Sequence, residues 1–115
     1  MHSALEVSKY IVNKCTVENF PISNLQLQKI LYYVQKEFFK KNLRCFSEEI
    51  EAWQIGPVVT DVYYYFCGYG AMPILMEYEI KIEKNYSEII DKIVGKNRGL
   101  MPWQLLEDVH KIGKP

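Results

Sequence analysis

Residues 22–41 read Ile22-Ser23-Asn24-Leu25-Gln26-Leu27-Gln28-Lys29-Ile30-Leu31-Tyr32-Tyr33-Val34-Gln35-Lys36-Glu37-Phe38-Phe39-Lys40-Lys41, and this stretch decides the fold. Ser23 and Gln26 stand at capping-box spacing, where each side chain can take a free backbone N–H of the other's end. Ile22 and Leu27 occupy the two positions of a hydrophobic staple. Leu27, Ile30, Leu31, Val34 and Phe38 then recur at the helical period and form one apolar stripe. The pattern predicts a helix from Ser23 to about Lys41 that serves as the central rod of the core. Lys36, Lys40, Lys41 and Arg44 gather near its end, where cations complement the helix dipole.

Upstream, Ser3 and Glu6 repeat the capping-box spacing, so a first helix starts at Ser3. It places Ala4, Ser8, Ile11, Val12 and Cys15 along one face and stops before Phe20-Pro21, because a residue ahead of proline is pushed out of the helical region. Downstream, residues 46–59 change character. The loose alternation of Ile50, Ala52 or Trp53, and Ile55 fits a short strand or extended segment, with Gly56-Pro57 as its punctuation. Thr60 fits an N-cap for a short helix from Asp61 to Cys67, closed by Gly68 and Gly70.

Ile74, Met76, Tyr78, Ile80 and Ile82 repeat every second residue, as a short strand or extended connector does. Asn85 and Glu88 are spaced to cap a helix carrying Ile89, Ile90, Ile93 and Val94, with Gly95 at its end. Pro102 suits the first turn of a last helix, with Trp103, Leu106, Val109 and His110 on neighbouring faces and an end near Gly113. The expected fold is mainly α: one compact domain of about five helices with one or two short extended segments.

Composition bounds the function. The chain has 115 residues, enough for one domain. Fourteen basic residues balance fourteen acidic ones, so no net field draws it to a phosphate backbone or an anionic membrane. No apolar run approaches the ~18 residues of a membrane span, and the start carries no signal-peptide pattern. Cys15, Cys45 and Cys67 lack a pairing or zinc-knuckle motif. A cytoplasmic protein with reduced thiols, no metal and no cofactor is expected.

Few residues suit chemistry. His2 sits at a terminus expected to be mobile. His110 and Asp108, two apart on a helix, point in different directions. No signature surrounds any of the cysteines. Glu48, Glu49 and Glu51 cluster without a calcium-loop glycine or a partner histidine. Gly68-Tyr69-Gly70 begins like a phosphate loop but lacks the helix that would follow it. The chain is expected not to be an enzyme.

One segment stands out. Tyr63, Tyr64, Tyr65 and Phe66 are consecutive on a predicted helix and Tyr69 follows them. Four consecutive helical residues sweep most of the circumference at ~100° each, yet a surface helix buries only one stripe. Some of these rings face the core and others are left for a protein partner, because an exposed Tyr gives contact area at low entropic cost. Trp53 with Tyr63, Tyr64, Tyr65 and Tyr69 is the expected partner-binding surface. Base stacking on these rings would make the chain a nucleic-acid-binding regulator, and the balanced charge counts against it.

These residues carry a family resemblance. Ile22 through Gln35, the block Glu49-Ile50-Glu51-Ala52-Trp53 with Gly56-Pro57-Val58-Val59 and Val62-Tyr63, and the close Val109-His110-Lys111-Ile112-Gly113-Lys114-Pro115 together resemble the Panacea domain family, which includes SocA-like antitoxins and phage-associated GepA-type proteins. Ala4 to Ile11 is similar to the family's start. The resemblance covers nearly the whole chain as one domain over 1–115, short of the family's usual C-terminal tail. Asp108 stands where small hydroxylated residues are commoner.

The resemblance implies an antitoxin that binds and neutralises a cognate toxin protein, often encoded by an adjacent gene, in phages and mobile elements. Within the family motifs, Trp53, Gly56 and Pro57 fit a tight turn packed on the second helix. Gly56 supplies backbone freedom and Pro57 fixes the exit. Asn24, Gln28 and Gln35 can satisfy that turn's buried backbone groups, and His110 can bond into the same centre.

Overall fold

The computed structural model describes residues 1–99. The protein is mainly helical, with a small two-stranded antiparallel sheet. The elements are α1 (Ala4–Val17), α2 (Asn24–Phe39), β1 (Glu51–Trp53), β2 (Gly56–Val58), α3 (Thr60–Tyr65) and α4 (Lys84–Asn97), with a single 3-10 turn (Cys67–Tyr69) after α3. Both N-terminal capping boxes form, Ser3 with Glu6 on α1 and Ser23 with Gln26 on α2. The expected last helix from Pro102, with Trp103 and His110, lies outside the described residues.

Helices α1 and α2 end in the same way. Asn19 (φ 58°) and Asn42 (φ 57°) take the left-handed conformation. Beyond α1, Asn19 donates to the Thr16 carbonyl and Phe20 to the Cys15 carbonyl; beyond α2, Asn42 donates to Phe39 and Leu43 to Phe38. Each pair satisfies helix-end carbonyls with a Schellman-type closure, and asparagine tolerates the backbone it needs. The stop of α1 is therefore set by Asn19, ahead of Pro21.

The central rod is α2, which packs against α1, α3, α4 and β2. Leu27, Ile30, Leu31, Val34 and Phe38 are fully buried, facing Ala4, Val7, Ile11, Val12 and Cys15 of α1 and Ile90, Ile93 and Val94 of α4. Complete burial of one such side chain contributes about 1.5–3 kcal/mol. Residues 72–82 form an extended strap without a ladder partner. The Ile74 N–H donates to the Ile22 carbonyl at 2.8 Å, and the Tyr78 N–H donates to Asn13 Oδ1 at 2.9 Å. Of the expected alternation, Ile74 and Ile82 turn inward, Tyr78 and Ile80 are half-buried, and Met76 is exposed.

Several boundaries differ from the sequence expectation. Thr60 is the first residue of α3 and Val59 is its cap; valine has no side-chain acceptor, so no side-chain cap bond forms, and the Val59 N–H itself is taken by a glutamine of α2. Gly56-Pro57 does not punctuate the hairpin. Gln54 and Ile55 make the turn, and Gly56 and Pro57 open β2 opposite Trp53 and Ala52. Gly56 does use its backbone freedom, at φ 112°, and Pro57 is tolerated because both strands of a two-stranded ribbon are edges.

On α4, Glu83 is the cap and Asn85 lies inside the helix, so the Asn85–Glu88 box does not form. The helix runs through Gly95 to Asn97, where Arg98 anchors its end to Glu18. His2 is held, not loose. It bridges to Phe46, its Nε2 lies 3.0 Å from Glu83, and its ring meets Tyr86 edge-on at 5.4 Å. Among the described residues, no helix is long and apolar enough to cross a membrane.

Candidate functional site

The centre of interest is the junction from β1 to α3, mounted on one face of α2. Three consecutive polar contacts fix it. Asn24 donates from Nδ2 to the Tyr63 carbonyl at 3.0 Å, and Gln28 donates from Nε2 to Asn24 Oδ1 at 3.0 Å. Gln28 Oε1 accepts the Val59 N–H at 2.9 Å. Asn24 and Gln28 are buried. A buried amide left unpaired would cost about 1–3 kcal/mol, so this chain of bonds sets the entry to α3 with little freedom.

Lys29 adds a fourth contact that the sequence reading did not include. Its side chain is fully buried, and Nζ donates to the Ile55 carbonyl at 2.5 Å. Burial lowers its pKa from 10.5 to about 8, because a low-dielectric surrounding disfavours the ammonium. The only signal available in the sequence was its place, one residue past Gln28 and two past Leu27 on the face toward the core.

Gln35 works elsewhere. Its Nε2 donates to the Phe46 carbonyl and its Oε1 accepts the Cys45 N–H, both at 2.8 Å. It braces the loop after α2 and does not reach the Trp53–Pro57 turn. His110 lies outside the described residues. Asn24 and Gln28 bond to Tyr63 and Val59, just beyond the 53–58 turn whose backbone they were expected to satisfy; Lys29 reaches the turn at Ile55, and Gln35 is displaced from it.

Three aromatic rings lie together on the outside of this mount. Trp53 and Tyr63 meet edge-on with centroids 5.2 Å apart, Tyr63 and Tyr64 at 5.8 Å, and Trp53 and Tyr64 at 6.0 Å. Tyr64 is 62% exposed, while Trp53 and Tyr63 are half-buried. Trp53 Nε1 donates to Glu51 Oε1 at 3.2 Å. Tyr65 is also exposed, at 49%, but turns to a different side. Its ring packs edge-on against buried Phe66 at 4.9 Å, and the Lys9 ammonium sits 5.2 Å from its centroid. Tyr69 is half-buried and tilts toward Phe66. The consecutive tyrosines thus split into two groups.

The groups that might have served chemistry are occupied or isolated. Cys15 and Cys45 are buried and Cys67 is exposed; burial pushes the Cys45 thiol up to about 12 and the Cys15 thiol upward. Glu48 accepts the Ala4 N–H at 2.9 Å, and Glu49 pairs with Arg44 at 3.5 Å. Lys40 and Lys41 both face Glu37 at 3.8 Å. Among the described residues, no three His, Cys, Asp or Glu side chains are grouped to hold a metal ion.

The family of Antitoxin SocA-like proteins, Panacea domain, matches residues 27–114. The chain is also similar to Antitoxin SocA of Caulobacter vibrioides (strain NA1000 / CB15N), 36% identical over 73 residues that make up 63% of this chain and 39% of that protein. The chain thus spans well under half the length of the curated relative that it matches. No solved structure matches.

Proposed function

The chain belongs to the SocA-like antitoxin family that carries the Panacea domain, and from that membership we propose that it is an antitoxin that binds and neutralises a toxin protein. The toxin is its cognate partner, encoded by an adjacent gene on a phage or mobile element, and the pair meets in the cytoplasm. The domain acts by contact and not by catalysis. The observation that carries this reading is the Trp53–Tyr63–Tyr64 cluster, half-buried apart from exposed Tyr64, on a rigid polar mount. Large rings already held in place lose little entropy on docking, which is why Trp and Tyr dominate the energetics of protein interfaces.

The brace beneath the cluster supports the same reading. Asn24, Gln28 and Lys29 hold backbone atoms on both sides of β2, so the surface is organised before a partner arrives. The test is co-expression with the product of each neighbouring gene. The expected result is a neighbour that arrests growth alone, is harmless with this chain, and co-purifies with it one to one. If no neighbour is both toxic alone and bound, the antitoxin reading fails.

A further inference from the structure

Charge along the chain is segregated in a way that the net balance hides. Between residues 45 and 80 there is no Lys, Arg or His, while Glu48, Glu49, Glu51, Asp61, Glu77 and Glu79 all lie there. That interval contains the whole hairpin and α3. Two of its carboxylates border the aromatic cluster. Glu51 accepts from the Trp53 indole, and Asp61 stands one helical turn before Tyr64 on the exposed side of α3. Among the described residues, neither Glu51 nor Asp61 enters an ion pair. Glu48 and Glu49, by contrast, are occupied by the Ala4 N–H and by Arg44.

The two halves of the tyrosine run differ in the same respect. Tyr65 shares the Lys9 ammonium with Tyr78, at 5.2 and 5.4 Å from the two centroids. Among the described residues, no cation lies over Trp53, Tyr63 or Tyr64. Ring faces carry partial negative charge and attract ammonium or guanidinium groups, and nearby carboxylates add to that attraction. A face of three rings with two carboxylates at its edge that form no ion pair among the described residues is the electrostatic complement of an arginine or lysine side chain.

We infer that the Trp53–Tyr63–Tyr64 face receives a basic segment of the partner protein, with an arginine or lysine laid on the rings and held by Glu51 and Asp61. This deepens the proposed antitoxin role and rests on the protein-binding use of the same face. Charge complementarity selects this occupant over a second copy docking through its own aromatic rings, which would bring four like-charged carboxylates together.

The experiment is an amide and indole NMR titration of the full chain with blocked tetra-arginine and tetra-glutamate peptides, the Trp53 indole signal being assigned with Trp53→Phe. Tetra-arginine is expected to shift the Trp53 indole and the amides of 60–65 saturably, tetra-glutamate is expected to leave them in place, and Glu51→Gln with Asp61→Asn is expected to weaken the tetra-arginine effect by ~10-fold. Absence of a saturable shift overturns the inference, as does a shift confined to Glu77 and Glu79. Movement of the same signals with protein concentration alone assigns the face to a second copy and also overturns it. A cognate complex whose affinity and salt dependence ignore the double substitution overturns it while leaving the antitoxin role intact. Peptide binding without any toxic neighbour upholds the chemistry of the face and removes only the antitoxin role.

Discussion

Lys29 reaches from the fully buried side of α2 to the carbonyl of Ile55, at the turn of the hairpin, 2.5 Å away. A lysine in this position carries the cost of holding an ammonium out of water against the gain of one charged hydrogen bond. The lowered pKa, about 8, is the sign that the cost is large.

Lys29→Met should therefore stabilise the fold at pH 7 by on the order of 1–2 kcal/mol, after the lost hydrogen bond is set against the removed burial cost. The advantage should shrink with rising pH. Below pH 8 both folded and unfolded chains are protonated at Lys29, and the folded one bears the whole cost. Between about 8 and 10.5 the folded chain has released a proton that the unfolded chain keeps, so the wild type gains stability as pH rises. Urea denaturation of both proteins at pH 7 and pH 9 measures the difference. A gap that does not narrow would refute the assignment.

Gln28→Leu should cost about 2 kcal/mol or more, because the Val59 N–H and Asn24 Oδ1 lose their partner together. Since these bonds set the start of α3, the variant should also lose affinity for the partner beyond what its remaining folded fraction explains. Denaturation midpoints combined with a calorimetric titration separate the two effects.

Tyr64→Ala should change folding stability by less than about 0.5 kcal/mol, since most of the ring is in solvent. It should weaken the proposed toxin complex by more than about 1 kcal/mol. Tyr65→Ala is the informative contrast. Its ring packs on Phe66 and Lys9, so it should cost stability and leave the complex comparatively unaffected once folding is accounted for. The reverse pattern would move the binding surface to the Lys9 side.

Thiol labelling should distinguish the cysteines. Cys67 is exposed, whereas Cys15 and Cys45 are buried with raised pKa values. Iodoacetamide at pH 8 is expected to add one group to the native protein and three in urea, as read by mass spectrometry. Rapid triple labelling of the native chain would contradict the packing of α1 against α2.

Much of the frame was legible in the sequence. Both capping boxes and the apolar stripes of α1, α2 and α4 are local patterns that depend on period and spacing, and they stand as expected. The errors fell at helix ends, where the local pattern does not show which distant groups lie alongside. Thr60 has the chemistry of a cap, but α3 starts one residue earlier with Val59 as its cap, whose N–H is taken by Gln28, thirty-one residues away. Gly95 looked like a stop, but α4 continues past it to Asn97, and Arg98 beyond its end pairs with Glu18. Helix ends at Asn19 and Asn42 were less visible than a glycine would have been, because asparagine reads first as a polar surface residue.

At the candidate site the residue types were readable and their division was not. The run of tyrosines announced that some rings must stay outside. Tyr64 and Tyr65 both stay outside, and which neighbours each ring meets depends on Lys9 of α1 lying beside Tyr65 and on Trp53 of the hairpin lying beside Tyr63 and Tyr64. Both are contacts between elements far apart in sequence. The same holds for Lys29, whose burial follows from the hairpin folding over it.

Gln28 and Lys29 are neighbours in sequence, yet they grip the chain on opposite sides of β2, at Val59 and at Ile55. The bolts of the mounting plate are thus backbone atoms, not the side chains displayed on it. Trp53, Tyr63 and Tyr64 can each be exchanged for another residue without loosening a single one of those bolts. On the proposed antitoxin role, a lineage meeting a new toxin can therefore rewrite its contact letters one at a time while inheriting the frame unchanged, and the mutational path between two specificities need not pass through an unfolded intermediate.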